Sequence, residues 1–138
     1  QVVARGVDTQ LFSPARRSAA LRSSWGAADD TLVIVVVGRL APEKNLDVTL
    51  RAYEAMRAGG TAVRLVFVGD GPQRAALQQR CPDAVFAGMR RGEDLAAHFA
   101  SADLFAFASL TETFGNVTIE ALASGLPVLA FDTAAAGD

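Results

Sequence analysis

Apolar residues fall along this chain in two alternating rhythms. Short runs rich in β-branched and aromatic residues lie at Leu32–Val37, Arg64–Val68, Ala84–Phe86, Leu104–Phe107 and Pro127–Phe131, each with the length of a strand. Between them, apolar positions recur at helical spacing over Pro14–Ser24, Leu46–Arg57, Pro72–Arg80, Asp94–Ala100 and Asn116–Ser124. The alternation predicts βαβ units and an α/β fold with a parallel sheet. Leu32–Val37 has no polar alternation, so both its faces must be covered, as in a central strand. Helix boundaries are also written in the chain. Asn45 is a candidate N-cap with Asp47 in the first turn, Gly59-Gly60 stops that helix, and Gly125 followed by Pro127 stops the last one. In Pro14–Ser24, Leu21 is the expected apolar contact.

Composition sharpens the picture. Of the 138 residues, 51% are hydrophobic and 20% charged, enough apolar surface for one domain with a sizeable core, which excludes disorder. Thirteen Lys and Arg against 15 Asp and Glu give a net charge of −2, so no nucleic acid partner is expected. A single cysteine, Cys81, excludes an intrachain disulfide, and with a single histidine, His98, leaves too few ligands for a Cys/His zinc site. The default compartment is the reducing cytosol. The densest apolar run, Leu32–Val37, is far short of the ~20 residues that cross a bilayer. The chain opens at Gln1 without a charged, apolar leader, and Thr133–Asp138 follows a strand-like run with no closing helix. It reads as a piece of a longer protein, incomplete at its C-terminal end.

In open parallel sheets, ligands sit at the carboxyl ends of the strands. Gly38 permits a tight departure from the first strand, and Arg39 and Lys44 emerge beside a helix N-terminus, whose free N–H groups attract anions. An Arg fork and a Lys point charge there suit phosphates. The same spacing allows a surface Arg39 and a Lys44 paired with Glu43 or Asp47. Neither a P-loop nor a G-x-G-x-x-G dinucleotide fingerprint is present. After the second strand, Gly69-Asp70-Gly71-Pro72 permits either close approach to a ligand or a plain β-to-α turn with Asp70 as the cap. The third candidate is Glu120, a carboxylate on the otherwise apolar helix Val117–Ala123. Such a group is costly unless partnered. In the second helical turn it can lean toward the loop carrying Glu112 and the free N–H groups near Gly115, Asn116 and Val117. Two carboxylates to accept sugar hydroxyls, beside N–H groups for phosphate, suit a phosphorylated sugar. The plainer alternative is a solvated Glu112 and a salt-bridged Glu120.

These motifs occur in a familiar order. Gly38-Arg39-Leu40 with Glu43-Lys44-Asn45, Val68-Gly69-Asp70-Gly71-Pro72, and Glu112 and Glu120 in an E-x7-E pattern ahead of Ala121-Leu122-Ala123-Ser124-Gly125-Leu126-Pro127-Val128 closely resemble the C-terminal, donor-binding domain of retaining GT-B glycosyltransferases of family 4, the glycosyl transferases group 1. The stretch Gly6-Val7-Asp8-Thr9 with Phe12-Ser13-Pro14 resembles the start of that domain. The resemblance implies a Rossmann-like sheet of about five strands, ordered 3-2-1-4-5, with helices on both faces. It implies transfer of a hexose from a UDP- or GDP-sugar to a hydroxyl acceptor (a sugar, lipid or small molecule). Arg39 and Lys44 would hold the donor diphosphate, and Glu112 the hydroxyls of the transferred sugar. Backbone at Phe114, Gly115, Asn116 and Val117 would contact sugar and phosphate, with Gly38, Gly69 and Gly71 close to the donor. Glu120 would accept from the ribose, and backbone near Gly88, Met89 and Arg90 would line the base pocket. No metal or other cofactor is expected. The acceptor would be bound by an N-terminal domain absent from this chain, so these residues alone are expected to be inactive. The cytoplasm, with or without peripheral contact at a membrane's cytoplasmic face, is the expected location.

The remaining candidates read more plainly. His98 is expected at a surface or boundary, Cys81 as a small buried or boundary residue, Trp25 packed at a helix end, and Arg90-Arg91 as a solvated basic pair. Three rival functions stay open. A receiver-type or other flavodoxin-like module would use Asp70 as its modified residue. A GT-B epimerase or phosphorylase would share the donor site, and a pure donor-binding role would lack activity.

Overall fold

The computed structural model describes residues 8–107 and 116–130. Strands β1 (Leu32–Val37), β2 (Val63–Val68), β3 (Val85–Gly88), β4 (Leu104–Phe107) and β5 (Val128–Ala130) form one sheet in the order β3-β2-β1-β4-β5. All neighbouring strands pair in parallel. Fold class and strand order are therefore as the sequence implied. β1 aligns with β2 along its whole length, Leu32 opposite Val63 and Val37 opposite Val68. The helices are α1 (Ala19–Ser24), α2 (Leu46–Ala58), α3 (Arg74–Arg80), α4 (Gly92–Ser101) and α5 (Asn116–Ala123).

Side chains alternate across a strand, so β1 feeds two cores. Ile34 and Val36, with Leu65 and Phe67 of β2, pack under Leu46, Leu50 and Tyr53 of α2 and Leu77 of α3. Val33 and Val35, with Val66 and Val68, face Trp25 at the end of α1, Ala96 and Phe99 of α4, and Ala121 of α5. Each core side chain taken fully out of water contributes about 1.5–3 kcal/mol. A continuous apolar run is the only sequence that can serve both faces.

Three expectations need correction. Pro14–Ser24 is not one helix: a 3-10 turn over Pro14–Arg16 is followed by extended Arg17, and α1 starts only after Ser18, whose hydroxyl caps the Leu21 N–H at 3.1 Å. Leu21 packs against the core as expected. The buried side chain of α1 is Arg22, 5% exposed, with Nη1 donating to the Ser101 carbonyl (2.9 Å) and Asp103 (3.0 Å), and Nη2 to the carbonyls of Ala28 (2.8 Å) and Thr31 (3.0 Å). Asn45 does not cap α2. A 3-10 turn over Pro42–Lys44 runs straight into the helix, and Asn45 takes the left-handed joint between them (φ 52°), a conformation asparagine tolerates better than most residues. His98 is 3% exposed, its Nδ1 2.7 Å from the Asp94 carbonyl oxygen and its ring 5.6 Å from Trp25. Cys81 is buried, as expected.

Candidate functional site

At the carboxyl ends of the first three strands lies a cleft of about 310 Å³, walled by Val37, Gly38, Arg39, Val68, Gly69, Asp70, Met89 and Arg90. Its construction starts from glycine. Gly38 adopts φ 140°, a backbone conformation that side-chain-bearing residues rarely take, and Lys44 packs against it: a Cβ there would lie in ordinary contact, 3.4 Å from Lys44 Cε and 3.7 Å from Nζ. Lys44 closes the 3-10 turn just before the left-handed joint at Asn45, and its side chain lies against Gly38 at the end of β1. Arg39, the residue after Gly38, stands in the cleft wall.

Gly69, in the cleft wall, and Gly71 have a structural task as well. A Cβ on Gly69 would lie 2.0 Å from the Gly38 carbonyl oxygen, and one on Gly71 2.5 Å from that of Leu40. The backbone is laced at the same place. Leu40 N–H donates to the Asp70 carbonyl and Gln73 N–H to the Leu40 carbonyl, both at 2.9 Å. The second loop is therefore pressed against the first, and its glycines let the Arg39–Lys44 loop close down on the sheet. Asp70 caps this turn, with Oδ1 accepting from Gly71 N–H (2.8 Å) and Oδ2 from Arg74 (3.2 Å). With both oxygens engaged and the strand-end cations beside it, Asp70 does not form a receiver-type acidic site.

The third wall is the turn between β3 and α4. Gly88 accepts from Gly69 N–H at 2.8 Å, and Met89 stands 60% exposed at the mouth. Arg90, read from sequence as half of a solvated pair, is tied down: Nε donates to the Ala87 carbonyl and Nη1 to Asp94, both at 2.9 Å, while Arg91 is exposed. The i, i+4 spacing of Arg90 and Asp94 at a helix start was the signal that could have found it.

Glu120 sits half-buried in the second turn of α5, outside this cleft wall. Burial among apolar residues pushes its carboxyl above the usual carboxylate range, and no described side chain donates to it. The salt-bridged alternative for Glu120 is therefore not what the described residues show. Asn116 and Val117 open α5, which follows β4 and so begins at the same end of the sheet. Glu112, Phe114 and Gly115 lie outside the described residues. Among the described residues, no three His, Cys, Asp or Glu side chains cluster as a metal site would need. No described helix is long and apolar enough to cross a membrane.

A doubly wound α/β domain with a glycine-built, cation-flanked cleft at its strand ends belongs to the class that binds phosphorylated ligands at a sheet's switch point. The chain belongs to the glycosyl transferases group 1 family, whose model matches residues 31–138. It is 50% identical over 129 residues to a GDP-mannose-dependent alpha-mannosyltransferase of Mycobacterium tuberculosis (strain CDC 1551 / Oshkosh), covering 94% of this chain and 32% of that one. A protein of the same description from Corynebacterium glutamicum is 44% identical, covering 91% and 29%. Among solved structures, that of Anabaena Alr3699/HepE in complex with UDP superposes with a TM-score of 0.76 at 28% identity, over 94% of this chain and 38% of that one. The chain spans about a third of the length of the curated relatives it matches.

Proposed function

We propose that this chain is the donor-binding part of a retaining hexosyltransferase of family 4 that moves a sugar from a nucleoside-diphosphate sugar to a hydroxyl acceptor. GDP-mannose is the first choice of donor, because the two relatives at 50% and 44% identity are described as dependent on it. The observation that carries the reading is the packing of Lys44 against Gly38, where Gly38 and Arg39 form the wall of the cleft at the end of β1.

The chemistry follows from charge. As the sugar–phosphate bond breaks, negative charge grows on the departing diphosphate. Fixed cations aimed at it stabilise the transition state more than the ground state. A unit charge pair 4 Å apart gains about 4 kcal/mol at an effective dielectric near 20. Arg39 and Lys44 supply this counter-charge from the protein, and for that reason we read the reaction as metal-independent. In the same reading, Glu112 accepts from the transferred sugar, Glu120 from the ribose, and backbone N–H groups at Phe114, Gly115, Asn116 and Val117 meet the sugar and phosphate. The acceptor is held by sequence beyond this chain, so the 138 residues alone bind donor without turning it over. A cytoplasmic protein, reaching its acceptor in solution or at the membrane face, fits this reading.

Calorimetric titration with GDP-mannose and a UDP-sugar tests it. Lys44→Ala is expected to weaken donor binding about 10-fold or more, as loss of a charged hydrogen bond does, and Glu120→Ala to weaken the sugar nucleotide but not inorganic pyrophosphate. Unchanged affinity in both variants removes the assignment. Release of sugar phosphate without an added alcohol acceptor points instead to a phosphorylase.

A further inference from the structure

Beyond the donor residues just assigned, and resting on that reading, we infer that Arg90 is a positioning residue that locks the Gly88–Met89 turn on which the base of the nucleoside diphosphate is recognised. The turn is tied to the inner loop where Gly69 N–H donates to the Gly88 carbonyl at 2.8 Å. Gly88 (φ 76°) and Gly92 (φ 58°) bracket it in left-handed conformations that glycine alone adopts freely. A Cβ on Gly92 would meet nothing within 4 Å, so neighbouring atoms do not clamp that side. β3 is an edge strand whose one neighbour is β2. Met89 projects into the cleft mouth with most of its side chain in water, an apolar surface that a flat heterocycle would cover.

The other hold on the turn is a side chain. Arg90 reaches back to the Ala87 carbonyl through Nε and forward to Asp94 in the first turn of α4 through Nη1, each at 2.9 Å. The planar fork closes a ring of chain around Gly88 and Met89 and fastens it to the helix. With Nε and Nη1 engaged in these contacts, the guanidinium acts through the shape of the turn. It follows β3, whereas Arg39 and Lys44 follow β1, two places along the sheet, so in this reading base recognition and diphosphate binding use different strand ends.

The test is titration of the full-chain protein with GDP, UDP and ADP, and with inorganic pyrophosphate as the base-free probe, in Arg90→Ala, Arg90→Lys, Asp94→Asn and Lys44→Ala. Arg90→Ala is expected to weaken the preferred nucleotide about 10-fold, the cost of ordering a turn on binding, to flatten the ranking of the three bases, and to leave pyrophosphate unchanged. Arg90→Lys keeps the charge without the fork and is expected to behave like Arg90→Ala. Asp94→Asn loosens the staple and should weaken the nucleotide in the same direction. A positioning role is overturned if Arg90→Lys restores wild-type affinity, if Asp94→Asn tightens pyrophosphate, or if Arg90→Ala weakens nucleotide and pyrophosphate alike. Lys44→Ala separates the two ideas: no effect on any ligand defeats the donor-site reading, whereas a loss on all four with an unchanged base ranking in Arg90→Ala defeats only this one.

Discussion

Arg22 and Asp103 carry opposite charges into the base of the fold, and the acid is held in place three times over. Val33 N–H donates to Asp103 Oδ2 at 2.9 Å, Arg22 at 3.0 Å, and Arg17 to Oδ1 at 3.2 Å. Burial works against ionisation of Asp103, but these three donors outweigh it and its carboxyl falls below the ordinary value of 3.8. A depressed folded-state value stabilises above the unfolded value and loses that contribution as pH falls through the folded one. Stability measured by urea unfolding should therefore decline below about pH 4, and Asp103→Asn should flatten this acid limb. Arg22→Ala leaves the carboxylate without its main ion partner and is expected to cost about 3 kcal/mol. Glu120 is the opposite case, since its carboxyl is raised by burial. Its contribution is most favourable below the unfolded value and is lost as pH rises through the folded one. Glu120→Gln should thus raise the Tm of the unliganded protein at pH 7 yet leave it unchanged below about pH 4. A lower Tm at pH 7 would mean that the carboxylate is a structural anchor and not a group held in reserve for ligand.

Elements, more than single residues, decide what could be read in advance. β1 and β4 are found at the residues predicted, Leu32–Val37 and Leu104–Phe107, because an unbroken apolar run of strand length has few other uses. The start of the chain was misread for the converse reason: Arg17 and Arg22 look like solvated helix residues until carbonyls and a carboxylate some eighty positions away are brought to them. Local pattern carries no trace of such partners. The glycines of the β2–α3 loop were legible as glycines that matter, but their close approach to the backbone of Gly38 and Leu40 was not. That distinction has a measurable form. Gly69→Ala is expected to destabilise by about 3 kcal/mol, at the upper end for overpacking, because the carbonyl it meets belongs to backbone and cannot rotate away. It should also weaken pyrophosphate binding, since the loop it displaces carries Arg39 and Lys44. Normal stability would show that the two loops are free to separate.

At the scale of the molecule, the sheet order was readable because alternating strands and helices leave few right-handed ways to wind. The location of the cleft followed from the same rule. What sequence could not supply was the build of the cleft, with Gly38 and Arg39 after the central strand and a stapled turn after the outermost one. The edge position of β3 has a consequence for how such a domain diverges. The two inner loops are wedged together backbone to backbone, so a change in one must be answered in the other. The outer turn leans on a single flank and has open space beside Gly92. Divergence, or a designer wishing to retarget the domain, should find the peripheral corner pliable and the centre unforgiving: a new heterocycle can be accommodated without touching the part that grips charge.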